Sequence, residues 1–451
     1  MKKIAAVLAV LFLVSGLAYA QEAKNIILII VDGGGPQEFG FLAQYARYAP
    51  NSPYADKTSN LEKYFNKSNI GLTLTNTYAT LVTDSAASGT QIATGHYTLP
   101  GAVGMDYDGK KVGSILEAAR EAGKSTGLIT TVYLQDATPS VFAAHQINRG
   151  LKDAIAKDML NANVDVMLGG GAKHFRPLFN DFKTNGYAVA QTKEEFLNLP
   201  TEKGSKLLGV FAETELPYVI YKDNNVPTLK EMTEKALTLL SKNEKGFFLM
   251  AEAGKVDWVL HANDAASTLH ELLEFDETLG YVMDWAAKRN DTLVVLTADH
   301  ETGGFGFNYF KVKGEALEKA KASGEVLYDN NNTNYVHPTV FDALMQHKAL
   351  YYHANDKFNS LPKKQKKEKM LAQIFSETTG QELPQYLYKG CKDIECVAKR
   401  YDKSLGIVWS TGAHSATPVA VAAYGPTQDS YNGLYHTTDL NKKMRASLGV
   451  K

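Results

Sequence analysis

Short apolar runs recur along the chain, separated by stretches with helical spacing. Asn25 to Val31 is almost wholly Ile, Leu and Val. A run that is apolar at every position, rather than at every second one, predicts a parallel strand buried on both faces. Gly127 to Thr131, Phe247 to Ala251, Leu293 to Ala298 and Pro418 to Ala423 read the same way, the last as the final strand. Leu72 to Val82 is a further strand-like run. Between them, Lys111 to Ala122 has helical spacing and is closed by Gly123. Thr228-Leu229-Lys230-Glu231 is a capping box, opening a helix with Leu229, Met232, Ala236 and Leu240 on one face. Strands alternating with helices predict an α/β fold, with a central, mostly parallel sheet flanked by helices.

Two stretches break this rhythm. Residues 175–227 are mixed and polar, and residues 305–404 are rich in Tyr, Asn and Lys, including Asp329-Asn330-Asn331-Asn332. Both are expected to be insertions above the sheet. The second would be a small subdomain within one large domain spanning residues 21–451. Within it, Lys363-Lys364-Gln365-Lys366-Lys367 reads as a solvated helix face. No tandem repeat occurs.

The start of the chain follows a different pattern. Lys2 and Lys3 precede an apolar run from Ile4 to Leu17, and Ala18-Tyr19-Ala20 matches a small-x-small cleavage site. Residues 1–20 are therefore expected to be a signal peptide cleaved after Ala20, with the mature protein periplasmic or secreted. The run is short for a bilayer span and contains Ser15 and Gly16. No Cys follows the site to carry a lipid. In an oxidising compartment the two cysteines, Cys391 and Cys396, are expected to be bridged. Cys396-Val397-Ala398-Lys399-Arg400 also fits the minimal C-x-A-x-R pattern of sulfatases, but it lies far downstream of the acidic strand ends that such a nucleophile accompanies. Net charge is -1, from 48 basic and 49 acidic side chains, which gives no reason to invoke nucleic acid or an anionic membrane as partner.

The candidate chemistry sits where strands end. The first run leads to Asp32, the Phe247 run to Glu252, and the Leu293 run to Asp299-His300. In open α/β sheets the ligand crevice lies beyond the carboxyl ends of the strands. Three carboxylates gathered there resist joint ionisation, and a multivalent cation removes the conflict. Any one of these acids alone would be read as a helix N-cap; three with an adjacent His are not. Asp257 and His261 stand four apart, on one helix face, as paired metal ligands do. His414 precedes the last run and is a candidate third ligand. Thr83-Asp84-Ser85-Ala86-Ala87 opens a small-residue helix, placing the Ser85 hydroxyl at an N-terminus that favours anions. Composition alone would make this an ordinary cap.

Taken together in order, Asp32-Gly33, Thr83-Asp84-Ser85-Ala86-Ala87, Leu134-Gln135-Asp136-Ala137-Thr138-Pro139, Arg149, Glu252, Asp257 with His261, Thr297-Ala298-Asp299-His300 and Gly412-Ala413-His414 resemble the motif set of the alkaline phosphatase family. The resemblance covers residues 24–174, 228–304 and 405–426. It implies hydrolysis of phosphate monoesters by a nucleophilic Ser85, with broad leaving-group tolerance, and it suggests a homodimer. It implies two Zn2+ ions and one Mg2+. Asp32, Asp299, His300 and Ser85 match one zinc site, and Asp257, His261 and His414 the other. Asp32, Asp136, Thr138 and Glu252 match the magnesium site. Arg149, thirteen residues after Asp136, matches the phosphate clamp, with Asp136 and Trp258 expected beside the substrate. Trp258 stands where enteric-type enzymes have Lys and resembles the marine, cold-active branch. That branch commonly has His where this chain has Asp136, so the two patterns are mixed. The 305–404 insert in the catalytic domain resembles the crown-like insertions of that branch in position only. A sulfatase, phosphodiesterase or metal-dependent mutase of the wider superfamily is the competing enzyme reading, and a non-catalytic phosphate- or metal-binding protein the competing non-enzyme one. The Asp84-Ser85 context, the export signal and the presence of both Ser85 and Arg149 weigh against them.

Overall fold

The computed structural model describes residues 22–221, 223–323 and 332–451. The expected signal peptide, residues 1–20, and most of the Asp329–Asn332 run lie outside the described residues.

A ten-stranded sheet forms the centre. Its strands are β1 (Asn25–Val31), β2 (Asn69–Leu74), β3 (Ser125–Tyr133), β4 (Val166–Gly170), β5 (Tyr187–Ala190), β6 (Lys206–Val210), β7 (Phe247–Ala253), β8 (Thr292–Thr297), β9 (Val419–Tyr424) and β10 (Gly433–His436). Their order is β10-β2-β9-β8-β1-β7-β3-β4-β6-β5. All pairings are parallel except those of β9, which runs antiparallel to β2 and β8. β1 shows why its sequence lacks alternation. Ile27, Ile29 and Val31 face one hydrophobic core, and Ile26, Leu28 and Ile30 the other.

Several boundaries differ from the sequence reading. The run Leu72 to Val82 forms a strand only as far as Leu74; residues 75–84 leave the sheet, with Tyr78, Leu81 and Val82 exposed. Ser85 is thus reached from a loop rather than directly from a strand. The helix expected from Lys111 starts at Ile115, because Ser114 and Glu117 form a capping box there. The Thr228 capping box is present as read. Residues 175–227 are not an insertion: β5 and β6 pair in parallel and extend the sheet beyond β4. Their short length masked them. Pro418 to Ala423 is not the final strand, since β10 adds to β2 at the sheet edge and the helix Thr437–Leu448 follows.

Within 305–404, residues 351–405 form their own hydrophobic cluster, built from helices Tyr351–Asn359, Glu368–Thr379 and Ile394–Ser404. Lys363 to Lys367 is exposed, but as a single 3₁₀ turn and its flanks rather than a helix face, because Pro362 and the short link to Glu368 leave no room for a helix. Cys391 and Cys396 are joined in a disulfide. Thiol titration of the denatured, unreduced protein should find no free thiol; two would refute the bridge. A bridged Cys396 is also unavailable for oxidation to formylglycine. No helix among the described residues is long and apolar enough to cross a membrane.

Candidate active site

Four adjacent strands, β8, β1, β7 and β3, deliver the acidic residues to one edge of the sheet. Asp299 follows β8, Asp32 follows β1, Glu252 lies near the end of β7, and Asp136 follows β3. Parallel register sets Glu252 beside both Ile30 and Thr130, and the Thr130 hydroxyl donates to the Glu252 carboxylate. Helix α1 (Ser85–Thr94) begins at Ser85, with the Asp84 side chain capping the Ala87 N–H. Ser88 Oγ donates to the Asp299 carbonyl at 2.6 Å, docking α1 against the end of β8. The turn after β1 depends on Gly33. Its φ is +73°, and a Cβ there would lie 2.9 Å from the Asp257 Cα.

Three imidazoles converge. His261, on the short helix Lys255–His261, faces Asp257 at 3.3 Å. His414 lies in a two-residue strand paired with Glu301–Thr302, which sets it beside His300 with ring centroids 3.5 Å apart. The Nδ1 atoms are taken up elsewhere. His261 Nδ1 donates to the Gly412 carbonyl and His414 Nδ1 to the Thr83 carbonyl, each at 2.8 Å. His300 Nδ1 lies 3.2 Å from Thr302 Oγ1, whose proton goes to Asp257 Oδ1 at 2.6 Å. These partners assign the proton of each ring to Nδ1. All three Nε2 lone pairs then point inward. His261 Nε2 and His414 Nε2 face one another at 3.1 Å, so two neutral rings with Nδ1 protonated would oppose lone pair to lone pair unless a proton or a metal ion came between them. His300 Nε2 lies 3.1 Å from Ser85 Oγ, 3.2 Å from Asp299 Oδ2 and 3.5 Å from Asp32 Oδ1. Asp32 Oδ1, Asp299 Oδ2 and Glu252 Oε1 are buried without a hydrogen-bond donor.

Such a set of acceptors is unstable without positive charge. Burial, then the charges of Asp299, Asp257 and Glu252, push the Asp32 carboxyl well above its usual range. Burial pushes Glu252 up to about 8 and Asp299 up to about 6. Burial lowers His300 to about 4, keeping it neutral. Asp257 is held well below the carboxylate range: burial opposes this, but the bond from a protonated His261 and the imidazole charges outweigh it. The same bond pushes His261 up to about 9, so that without a metal ion a proton on His261 Nε2 supplies the positive charge. Imidazole nitrogens and carboxylate oxygens, with each imidazole's other nitrogen on a carbonyl or hydroxyl, are the donor set of a divalent-metal site. Ligand atoms of Asp257, His261 and His414 lie within 4.8 Å of one another, as do those of Asp32, Asp257 and His300. Asp257 therefore adjoins both groups, which its sequence pairing with His261 did not reveal.

Thr138 Oγ1 lies 3.4 Å from Asp32 Oδ2. Asp136 turns elsewhere, its Oδ1 accepting from Arg149 and from Lys152, both at 3.2 Å. Burial would raise the Asp136 carboxyl, but Arg149 and Lys152 together bring it below the usual range. Arg149 also donates to Asp84 Oδ2 at 3.2 Å. Trp258 is half-buried, its ring packed edge-on to Tyr133 with centroids 6.1 Å apart. Sequence reasoning missed Lys152, Tyr133, Thr302 and the partnership of Asp84 with Arg149, because none follows a strand-end or i,i+4 rule.

A profile of the family described as Alkaline phosphatase matches residues 23–450. The chain belongs to the alkaline phosphatase family. Alkaline phosphatase 4 of Bacillus subtilis is 32% identical over 428 residues, covering 93% of this chain and 87% of that protein. The structure of a cold-active alkaline phosphatase from a psychrophilic Shewanella sp. aligns with TM-score 0.76 and 29% identity, over 94% of this chain and 99% of that one. The alkaline phosphatase of Thermus thermophilus aligns with TM-score 0.78 and 27% identity, over 96% of this chain and 92% of that one. A TAB5 alkaline phosphatase mutant with Asp in place of a His, with Mg bound in its M3 site, aligns with TM-score 0.68 and 26% identity, over 96% of this chain and 99% of that one. The mostly parallel sheet is thus the fold of this family, and the chain is a phosphomonoesterase with a divalent-metal centre.

Proposed function

We propose that this alkaline phosphatase works through a phosphoserine at Ser85, with two zinc ions and one magnesium ion. The observation that carries this is one cluster of imidazole nitrogens and orphaned carboxylate oxygens in which His300 Nε2 lies 3.1 Å from the Ser85 hydroxyl and within 3.5 Å of Asp299 and Asp32. Asp32, Asp299, His300 and Ser85 would hold one zinc ion, and Asp257, His261 and His414 the other. Asp32, Thr138 and Glu252 would hold magnesium. Magnesium keeps several waters, through which Asp136 would reach it while staying paired with Arg149 and Lys152. Asp136 is a carboxylate where the cold-active pattern has His, and the magnesium in the Asp-substituted TAB5 enzyme supports a hard cation here. Bound cations would lower the pKa of the Ser85 hydroxyl and of water, and offset charge at phosphorus.

Ser85 Oγ attacks phosphorus, the ester oxygen leaves with the alcohol, and water then cleaves the phosphoserine to inorganic phosphate. The N-terminus of α1 and the Arg149 fork bind the phosphoryl oxygens. Recognition centred on the phosphoryl group implies a broad range of alcohols. Residues 1–20 act as a signal peptide for export to the periplasm or beyond, and residues 305–404 as an inserted subdomain of a catalytic domain at 21–451. The apolar residues that β2 and β10 turn outward, Ile70, Leu72, Leu74 and Leu434, support a homodimer.

Chelation should remove nearly all turnover of a phosphate monoester, and zinc with magnesium should restore it. A diester and a sulfate ester should be turned over far more slowly. Activity that survives exhaustive chelation would overturn the metal-dependent reading, and preference for sulfate the substrate. Trp258 adds bulk but no charge beside this pocket. Trp258→Lys should lower the phosphate inhibition constant several-fold and reduce the maximal rate, since product release limits turnover in many enzymes. An unchanged constant in a folded, metal-loaded variant would show that Trp258 only packs.

A further inference from the structure

Arg149 is held by two carboxylates, Asp84 and Asp136, each at 3.2 Å. Alone, that arrangement would leave a net negative pair facing an incoming phosphate dianion. A second cation changes the balance. Lys152 Nζ reaches the same Asp136 Oδ1 at 3.2 Å, donates to the Gln135 carbonyl at 3.1 Å, and lies 4.7 Å over the Tyr133 ring. Two carboxylates then meet two cations. Trp258 lies against the same Tyr133 ring and contributes no charge.

The placement of Lys152 opposes local preference. It is the first residue of α2 (Lys152–Ala162), where the helix dipole disfavours a cation. Its side chain is only 17% exposed, so it gives up water as well. Helix formation and solvation therefore both argue for a different rotamer. What holds the ammonium in place is Asp136, the Gln135 carbonyl and the Tyr133 face. An acceptor shared between two cations binds each less tightly than it would bind one.

We propose that Lys152 is a positioning residue for phosphate binding, which by neutralising Asp136 frees the Arg149 guanidinium to clamp the phosphoryl group. The inference rests on the reading of Arg149 as the phosphate clamp. Lys152 acts through Asp136 and Arg149, and the reacting atoms are left to Ser85.

The test is a double-mutant cycle on the full-length, metal-replete enzyme, read by calorimetric titration with inorganic phosphate and by steady-state kinetics. Lys152→Met should weaken phosphate binding and raise KM, each about ten-fold, the loss of one charge-assisted contact. The change in kcat should be smaller than the change in KM. Lys152→Arg should recover most of the affinity. In an Asp136→Asn background, the same Lys152→Met change should have little further effect, because the carboxylate to be neutralised is gone. An equal loss of affinity with and without Asp136 would overturn the proposal, as would an unchanged phosphate Kd in Lys152→Met. If Lys152→Met does not fold, Lys152→Gln, which keeps a donor for the Gln135 carbonyl, takes its place under the same criteria. Arg149→Ala separates the two layers. If it leaves phosphate affinity unchanged, the clamp reading fails. If it weakens affinity while Lys152→Met does not, only the role of Lys152 fails.

Discussion

Ser85→Ala is expected to lower turnover of phosphate monoesters by at least about 10³-fold, the scale of losing a covalent nucleophile. The substitution removes one buried oxygen from the first turn of α1 and little else. The cap from Asp84 to the Ala87 N–H stays, as does the Ser88 hydroxyl bond that docks the helix on the Asp299 carbonyl. Asp32, Asp299 and His300 remain in place around the vacated position, so metal content should stay near that of the parent. The measurement is intact mass at acid pH with excess phosphate, beside elemental analysis. The parent should carry a phosphoryl group and the variant none. A phosphorylated Ser85→Ala protein would show that another side chain is the nucleophile.

Asp257→Asn is expected to strip metal as well as activity. Asp257 adjoins all three histidines: Oδ2 faces His261 at 3.3 Å, Oδ1 faces His414 at 3.7 Å, and Thr302 ties Oδ1 to His300. Asn preserves shape but removes the charge that a divalent cation needs among neutral imidazoles. Elemental analysis after dialysis should show a clear fall in bound zinc relative to the parent, with turnover down at least about 10²-fold. Circular dichroism should remain that of a folded protein, since the Lys255–His261 helix keeps its apolar contacts through Val256, Val259 and Leu260. Full metal content in a folded Asp257→Asn protein would remove Asp257 from the ligand set.

How much of this was legible differs from residue to residue. Asp32, Glu252 and Asp299 were readable because each ends a long apolar run, and the topology of a parallel sheet sends such ends to one crevice. Asp257 and His261 were readable because helical spacing is local. β5 and β6 were not: each is only four or five residues long, and short apolar runs in polar surroundings carry no periodicity strong enough to register. Leu72 to Val82 failed for the opposite reason. Its pattern suits a strand throughout, but no neighbour pairs with residues past Leu74, and exposed apolar residues are not excluded by sequence.

Local rules thus determined the α/β class, the positions of the acidic strand ends, the Thr228 capping box and the order of the motifs, since each depends on residues close in sequence. Distances between distant segments were decided by tertiary structure alone. His414 meets His300 because a two-residue bridge pairs it with Thr302, 112 positions earlier by difference of 414 and 302. Asp257 adjoins both clusters of candidate ligands, and Gly33 lets the chain pass against it. Lys152 shares Asp136 with Arg149 because the turn after Arg149 folds the start of α2 back over Tyr133. Charges so placed interact through a buried, weakly screened interior, where a separation of a few ångströms sets the energy and sequence separation has no bearing.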